Sequence, residues 1–172
     1  MSGITLEELL AARDSRALRQ RQLLEAYPGC TLICLTVQLP GPVKRNADSL
    51  TVGGAGLAAL LDKFGSVLRH GQVRDLKTGY EAYLAVPLPA LLVKRICTET
   101  EDTHPLGRLM DIDVLCPGEK APVPLGREEL GLPPRECLLC GNPARFCMRN
   151  HTHTQEELLE KIDNLVNSFL ES

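Results

Sequence analysis

The feature that most constrains the fold is the run Gly107-Arg108-Leu109-Met110-Asp111-Ile112-Asp113-Val114-Leu115, which places two aspartates inside an apolar segment. Side chains on a β-strand alternate between its two faces, so Asp111 and Asp113 are predicted to share one face. We expect Leu109 to begin that face, and we expect the other face to pack on a core through Met110, Ile112 and Val114. The alternation therefore predicts a half-buried strand that presents two carboxylates together.

Two carboxylates held side by side predict a divalent-cation site. They repel each other and are costly to desolvate, and a cation between them offsets both effects. Oxygen ligands suit Mg²⁺, which also binds substrate phosphates. Asp111 and Asp113 are therefore candidate catalytic residues and Mg²⁺ ligands for phosphoryl or nucleotidyl transfer. The alternative is an ordinary half-exposed strand edge that binds no metal.

Other residues are candidates for contacts with a phosphorylated substrate. Gly107 would let the backbone approach a ligand closely, and Arg108 would offer a guanidinium to a phosphate. His104 could act as a general base or a phosphate donor. Lys44, which follows a predicted strand, and Arg135 are the remaining basic residues that we expect near a phosphate. Each of these side chains could instead simply face solvent.

Three cysteines crowd near the C-terminal end, with the spacing Cys137-x2-Cys140-x6-Cys147, and His151 and His153 follow. A C-x-x-C pair followed by cysteine and histidine is typical of a tetrahedral zinc site. Four protein ligands (Cys137, Cys140, Cys147 and His153) would make such a zinc ion structural. The alternative is a set of reduced thiols packed beneath the last helix.

Composition and charge limit the class of protein. The chain has 172 residues, of which 44% are hydrophobic, so we expect a single domain over residues 1–172, with 137–153 as a possible zinc-binding segment inside it. A net charge of -3 argues against general nucleic-acid binding. We find no apolar run long enough for a membrane span and no secretory signal, so a cytoplasmic location is expected.

Periodicity and turn residues predict an α+β domain, with a mixed β-sheet flanked by helices. Helices are expected over 5–27, 48–69, 90–101 and 154–169, and strands over 31–39, 72–76, 80–86, 109–115 and 121–125. The elements do not alternate strictly as βαβ units, which favours α+β over α/β. The first helix carries four arginines (Arg13, Arg16, Arg19 and Arg21), which we expect on a solvated face, or alternatively in a dock for an acidic partner.

Several ordered blocks resemble one known family. These are Pro40–Lys44, His104–Val114, Pro133–Cys140, and Cys147 with His153. Together they resemble the apo-citrate lyase phosphoribosyl-dephospho-CoA transferases, also described as citrate lyase holo-acyl-carrier-protein synthases. The resemblance spans residues 5–168, nearly the whole chain.

The resemblance implies a metal-dependent, nucleotidyltransferase-like enzyme. Its donor would be 2′-(5″-triphosphoribosyl)-3′-dephospho-CoA, its acceptor a serine of the citrate lyase acyl carrier (gamma) subunit, and its leaving group pyrophosphate. Metal binding would fall on Asp111 and Asp113, and Gly107 and Arg108 would belong to the substrate loop. Neither nucleic acid nor membrane is an expected partner. The alternatives are the same transfer to another carrier, of the malonate decarboxylase type, and a non-enzymatic zinc-dependent adaptor.

Overall fold

The first and last helices begin where the sequence supplies side-chain N-caps. Thr5 accepts a hydrogen bond from the backbone N–H of Glu8, whose carboxylate accepts one from the N–H of Thr5. Thr154 and Glu157 repeat this reciprocal arrangement at the last helix. Each pair satisfies two backbone donors that a helix start would otherwise leave free. The predicted starts of these two helices are therefore confirmed.

The computed structural model describes residues 3–172. Its helices and strands are α1 (Leu6–Ala26), β1 (Thr31–Val37), α2 (Ala47–Phe64), β2 (His70–Leu76), β3 (Gly79–Val86), α3 (Ala90–Thr103), β4 (Met110–Leu115), α4 (Ala144–Asn150) and α5 (Gln155–Leu170). Short 3-10 turns occupy Gly65–Val67, Gly107–Leu109 and Arg127–Leu130. Within the described range, no helix combines the length and apolarity that crossing a bilayer requires.

The four strands form one sheet in the order β2-β3-β1-β4. All three pairings are antiparallel. The expectation of a mixed sheet is therefore wrong, because a mixed sheet would contain at least one parallel pair. The α+β class is confirmed. In the register of β1, Cys34 lies opposite both Tyr83 and Asp113, and Thr36 lies opposite Asp111. This register decides which polar side chains share a face.

Each face of the sheet packs against helices. One face, with Ile33, Ile112 and Leu84 among its residues, forms the main core together with α2, α3 and α5. The other face, with Leu32 and Tyr83, packs against the C-terminal half of α1. Burying aliphatic side chains on both faces is the main stabilising contribution, at about 25 cal/mol per Å² of apolar surface.

The glycine-rich first half of α2 is a site of close packing. A Cβ built on Gly53 would lie 2.5 Å from the ring of Tyr80, and one on Gly56 would lie 3.0 Å from Leu35. The two glycines let α2 approach the sheet where larger side chains would separate them.

The strand predicted over 121–125 is wrong, and the structure adds one short helix. No strand forms over 121–125, where a single backbone bond, from the N–H of Leu125 to the carbonyl of Val114 at 3.0 Å, joins the segment to β4. The segment that follows the first two cluster cysteines holds a short helix, α4, which was not predicted.

Candidate functional site

The aspartate strand presents both carboxylates on the face of the sheet that α1 partly covers. Asp113 lies beside Cys34 and Asp111 beside Thr36, while Ile112 between them points into the main core. The predicted sharing of one face is confirmed. The expectation for Leu109 is wrong, because Leu109 ends a 3-10 turn before the strand and is buried in the main core on the opposite side.

The two carboxylates lie in different electrostatic environments. Burial, reinforced by the charge of Asp111, raises the pKa of Asp113 to about 6, although Lys94 and Arg16 oppose the shift. The side chain of Asp111 is 40% exposed, and its Oδ1 lies 3.9 Å from Nη1 of Arg135. The pair therefore combines one carboxylate that resists ionisation with one that solvent and a ligand can reach.

A buried ion network lies on the same face, next to the aspartates. The carboxylate of Glu81, whose side chain is 3% exposed, accepts a hydrogen bond from Nε of Arg16 at 3.0 Å. Tyr83 donates its hydroxyl to Glu81 at 2.6 Å, and Nη1 of Arg74 lies 3.5 Å away. Arg16 therefore bridges α1 to the sheet and is not on a solvated face, because an unpaired buried carboxylate would be costly.

The outer edge of β4 is covered instead of being left free to pair. The N–H of Ile112 donates to Glu101 at 2.8 Å, and Nη2 of Arg135 donates to the carbonyl of Met110 at 2.9 Å. Burial raises the pKa of Glu101, and the charge of Arg135 partly opposes this. Because both bonds end on β4 beside Asp111, they fix the backbone that carries the aspartates.

Sequence reasoning missed Glu101 and Lys94, although a signal was present. Lys94, Thr98 and Glu101 are spaced four and three residues apart, so they share one face of α3, and all three are buried. Charged residues on the face of a helix that also carries Cys97 indicate internal pairing.

The turn before β4 serves packing. A Cβ on Gly107 would overlap the carbonyl oxygen of Glu101, so glycine is required by the close approach of two backbone segments. Arg135 donates to the carbonyls of Gly107 and Arg108 at 3.2 and 3.3 Å. Arg108 in turn donates to the carbonyl of Glu136. The predicted substrate residues Gly107, Arg108 and Arg135 are thus brought together beside Asp111.

Lys44 and His104 are not brought to the aspartates in this way. Lys44 lies in the loop between β1 and α2 and donates its ammonium to the carbonyl of Leu39, and burial lowers its pKa. His104 follows α3, and its Nδ1 accepts the N–H of Leu106 at 3.0 Å. Its ring lies 5.6 Å from that of Phe169, which packs on the main core, so it belongs to the other side of the sheet.

The cysteine cluster assembles as the sequence predicts. The ligand atoms of Cys137, Cys140, Cys147 and His153 all lie within 4.8 Å of one another, and this set could hold a metal ion. Burial opposes ionisation of Cys137, but the backbone N–H groups of Leu139 and Cys140 and the neighbouring thiols outweigh it and lower its pKa to about 7. His151, by contrast, is exposed and caps α4 in the left-handed region, with φ of 46°.

Two shallow depressions lie away from the aspartates. One is lined by residues of α5 together with Leu139 and His153, and the other by the turn that follows α1 and by Arg69 and Pro87.

Comparison with known proteins identifies relatives along nearly the whole chain. A protein of Streptococcus pyogenes serotype M18, named probable apo-citrate lyase phosphoribosyl-dephospho-CoA transferase, is 40% identical over 97% of this chain and 88% of its own length. A protein of Escherichia coli O1:K1, named apo-citrate lyase phosphoribosyl-dephospho-CoA transferase, is 37% identical over 96% of this chain and 90% of its own length. The protein CitXG of Haemophilus influenzae is 40% identical over 95% of this chain but only 35% of its own length.

The family profile described as apo-citrate lyase phosphoribosyl-dephospho-CoA transferase (CitX) matches residues 4–169. The match covers every helix and strand but the last residue of α5, and it includes both the aspartate strand and the cysteine cluster. This chain belongs to the apo-citrate lyase phosphoribosyl-dephospho-CoA transferase family.

Proposed function

We propose that this protein transfers a phosphoribosyl-dephospho-CoA group from 2′-(5″-triphosphoribosyl)-3′-dephospho-CoA to a serine of the citrate lyase acyl carrier (gamma) subunit. Pyrophosphate is the leaving group. Family membership over residues 4–169 supports the transfer and its acceptor. The observation that carries the proposed chemistry is the pair of carboxylates, Asp111 and Asp113, on one face of β4, with Asp111 partly exposed.

The two aspartates fit a divalent ion such as Mg²⁺. They offer oxygen ligands on one face, and the raised pKa of Asp113 reflects, in part, a repulsion that a cation would relieve. Among residues 3–172, the only group of three or more potential ligands close together is the cysteine cluster. Water and substrate phosphates would therefore complete the shell at the aspartates, as is usual for Mg²⁺, and the ion would supply charge compensation to the triphosphate.

The remaining steps fall to the protein and its partner. The serine oxygen of the carrier forms a bond to the phosphorus next to the ribose, and the bond to the pyrophosphate oxygen breaks with its electron pair. The chain itself needs no nucleophile. It must hold the two reactants in line and stabilise charge, which we assign to Arg108 on the phosphates, with Gly107 shaping the substrate loop. Arg135 holds the start of β4 through backbone carbonyls, and Lys44, whose ammonium is bonded in the loop between β1 and α2, receives no step.

Asp113 is the better candidate to accept the serine proton. Its carboxylate lies on the same face of β4 as Asp111, where the donor and the carrier serine would meet. We assign no step to His104, since it lies on the other side of the sheet and its Nδ1 is already bonded to the chain. We assign no step to the cysteine cluster, whose thiolate and imidazole donors suit Zn²⁺ in a structural role.

The proposal is tested by incubating the protein with the triphosphate donor, Mg²⁺ and apo-carrier, and weighing the carrier by mass spectrometry. We expect the wild type to add one prosthetic group, and Asp111→Asn and Asp113→Asn to lose at least about a thousandfold in rate, since each removes a charge from the reacting centre. Asp62→Asn, an exposed aspartate on α2, is the matched control and should react normally. Normal transfer by both site variants would contradict the assignment, and modification of only a malonate decarboxylase carrier would contradict the acceptor.

A further inference from the structure

The segment that carries the cysteine cluster has almost no core of its own. From Cys116 through Lys161, the only buried residue is Cys147. The segment still keeps a defined shape: the N–H of Cys137 donates to the carbonyl of Asn142 at 2.7 Å, and that of Ala144 donates to the carbonyl of Arg135 at 2.8 Å. Hydrogen bonds of this kind add little net stability to a chain that buries so little apolar surface, and small units of this kind are usually stabilised by a metal or by disulfides.

Two of the distances between donor atoms are close to those of a tetrahedral zinc site. With Zn–S bonds of about 2.3 Å and Zn–N bonds of about 2.0 Å, tetrahedral geometry places neighbouring ligand atoms roughly 3.5–3.8 Å apart. The sulfurs of Cys140 and Cys147 are 3.5 Å apart, and Nε2 of His153 lies 3.4 Å from the sulfur of Cys140. The N–H of Leu139 points at the sulfur of Cys137 at 3.5 Å, which stabilises a thiolate there.

The same segment delivers Arg135 to the aspartate strand. Arg135 comes two residues before Cys137, and its guanidinium, in a side chain 17% exposed, donates to three carbonyls around the start of β4. It also lies 3.8 Å from Glu101 and 3.9 Å from Asp111. Reciprocally, Arg108 donates to the carbonyl of Glu136, inside the cluster segment. The position of this cation at the aspartates therefore depends on whether the segment is ordered.

We propose that Cys137, Cys140, Cys147 and His153 bind one structural Zn²⁺, and that this ion orders the segment which holds Arg135 against β4 beside Asp111. Arg135 is then a positioning residue. Zinc binding at the cluster would act on the carboxylate pair through Arg135, which holds the backbone of β4. The proposal that zinc binds rests only on the residues and distances of the cluster. The effect on transfer rests on the function proposed above.

The zinc part is tested without the reaction. Protein produced with zinc supplied should contain about one zinc per chain by elemental analysis, and Cys140→Ser should lose most of it. Cys116→Ser, which changes a half-buried cysteine outside the cluster, is the matched control and should keep it. Chelation of the wild type should raise hydrogen exchange across residues 131–153 while leaving β1 and β3 protected. A protein that holds no zinc under these conditions, or zinc retained in full by Cys140→Ser, would overturn the site.

The positioning role is tested by the transfer assay. Arg135→Ala should keep its zinc and fold normally by circular dichroism, yet lose about 10- to 100-fold in kcat/KM, the usual range for groups that orient a site. Arg135→Lys keeps the charge but not the planar fork, so it should recover only part of the loss. Full activity of Arg135→Ala, or full activity of zinc-free protein, would refute the coupling. If the wild type itself transfers nothing, the proposed function fails while the zinc result still stands.

Discussion

Replacing Asp113 by asparagine is expected to stabilise the fold at neutral pH while it abolishes transfer. Burial and the neighbouring Asp111 raise the pKa of Asp113 from 3.8 to about 6, so the folded state binds its proton more tightly than the unfolded state does. The stability that this carboxyl contributes is present below about pH 4 and is lost as the pH rises through 6. A rise in pKa of this size corresponds to roughly 3 kcal/mol.

The asparagine of the variant does not ionise, so the variant does not lose stability as the pH rises through 6. Allowing about 1 kcal/mol at every pH for hydrogen bonds that the amide makes less well, we expect Asp113→Asn to gain about 2 kcal/mol in free energy of unfolding at pH 7.5 and to lose about 1 kcal/mol at pH 4. The measurement is urea unfolding followed by circular dichroism, with EDTA present, at pH values between 4 and 8.

The matched control is Asp62→Asn, since Asp62 is exposed on α2 and should show the same stability as the wild type at every pH. Adding Mg²⁺ should then stabilise the wild type and leave Asp113→Asn unchanged, because only the wild type keeps both carboxylates. A variant that is less stable than the wild type at pH 7.5, or a difference that does not depend on pH, would refute the electrostatic reasoning.

Two further predictions concern packing and the buried ion network. Gly107→Ala should lower the free energy of unfolding by about 3 kcal/mol, because its Cβ would overlap the carbonyl oxygen of Glu101. Gly54→Ala, in open space on α2, is the control and should be neutral or stabilising, so equal effects of the two variants in thermal unfolding would contradict the prediction. Arg16→Ala should lower the free energy of unfolding by about 2–3 kcal/mol, because it removes the guanidinium 3.0 Å from the buried carboxylate of Glu81. Arg13→Ala, at an exposed position on α1, is the control and should change it by less than about 0.5 kcal/mol in urea titrations. An Arg16→Ala variant as stable as the wild type would show that the network adds little.

Much of the fold and of the candidate site could be read from local patterns. The capping boxes at Thr5 and Thr154 fixed the starts of α1 and α5, because the signal lies within four residues of chain. The alternation around Asp111 and Asp113 gave their shared face for the same reason. The cysteine spacing likewise brought together four ligand atoms, since a C-x-x-C turn places its two sulfurs close by itself.

The errors arose where a residue's neighbours come from distant parts of the chain. Arg16 reads as a solvated residue on its own helix, and only the packing of α1 across the sheet pairs it with Glu81. Leu109 reads as the first residue of a strand, but the turn that Gly107 allows against α3 sends it into the main core. Neither contact can be predicted from the residues next to Arg16 or Leu109 in the sequence.

The sequence by itself determined the α+β class and the common face of the two aspartates, because periodicity and alternation depend on residues a few positions apart. The spacing of its cysteines also singled out the group that could hold a metal ion. Tertiary structure alone decided that Asp113 is buried enough to resist ionisation, that Glu101 and Arg135 cover the edge of β4, and that the cysteine segment supplies that arginine. Burial and long-range pairing set these properties, since the energy of a charge depends on everything packed around it.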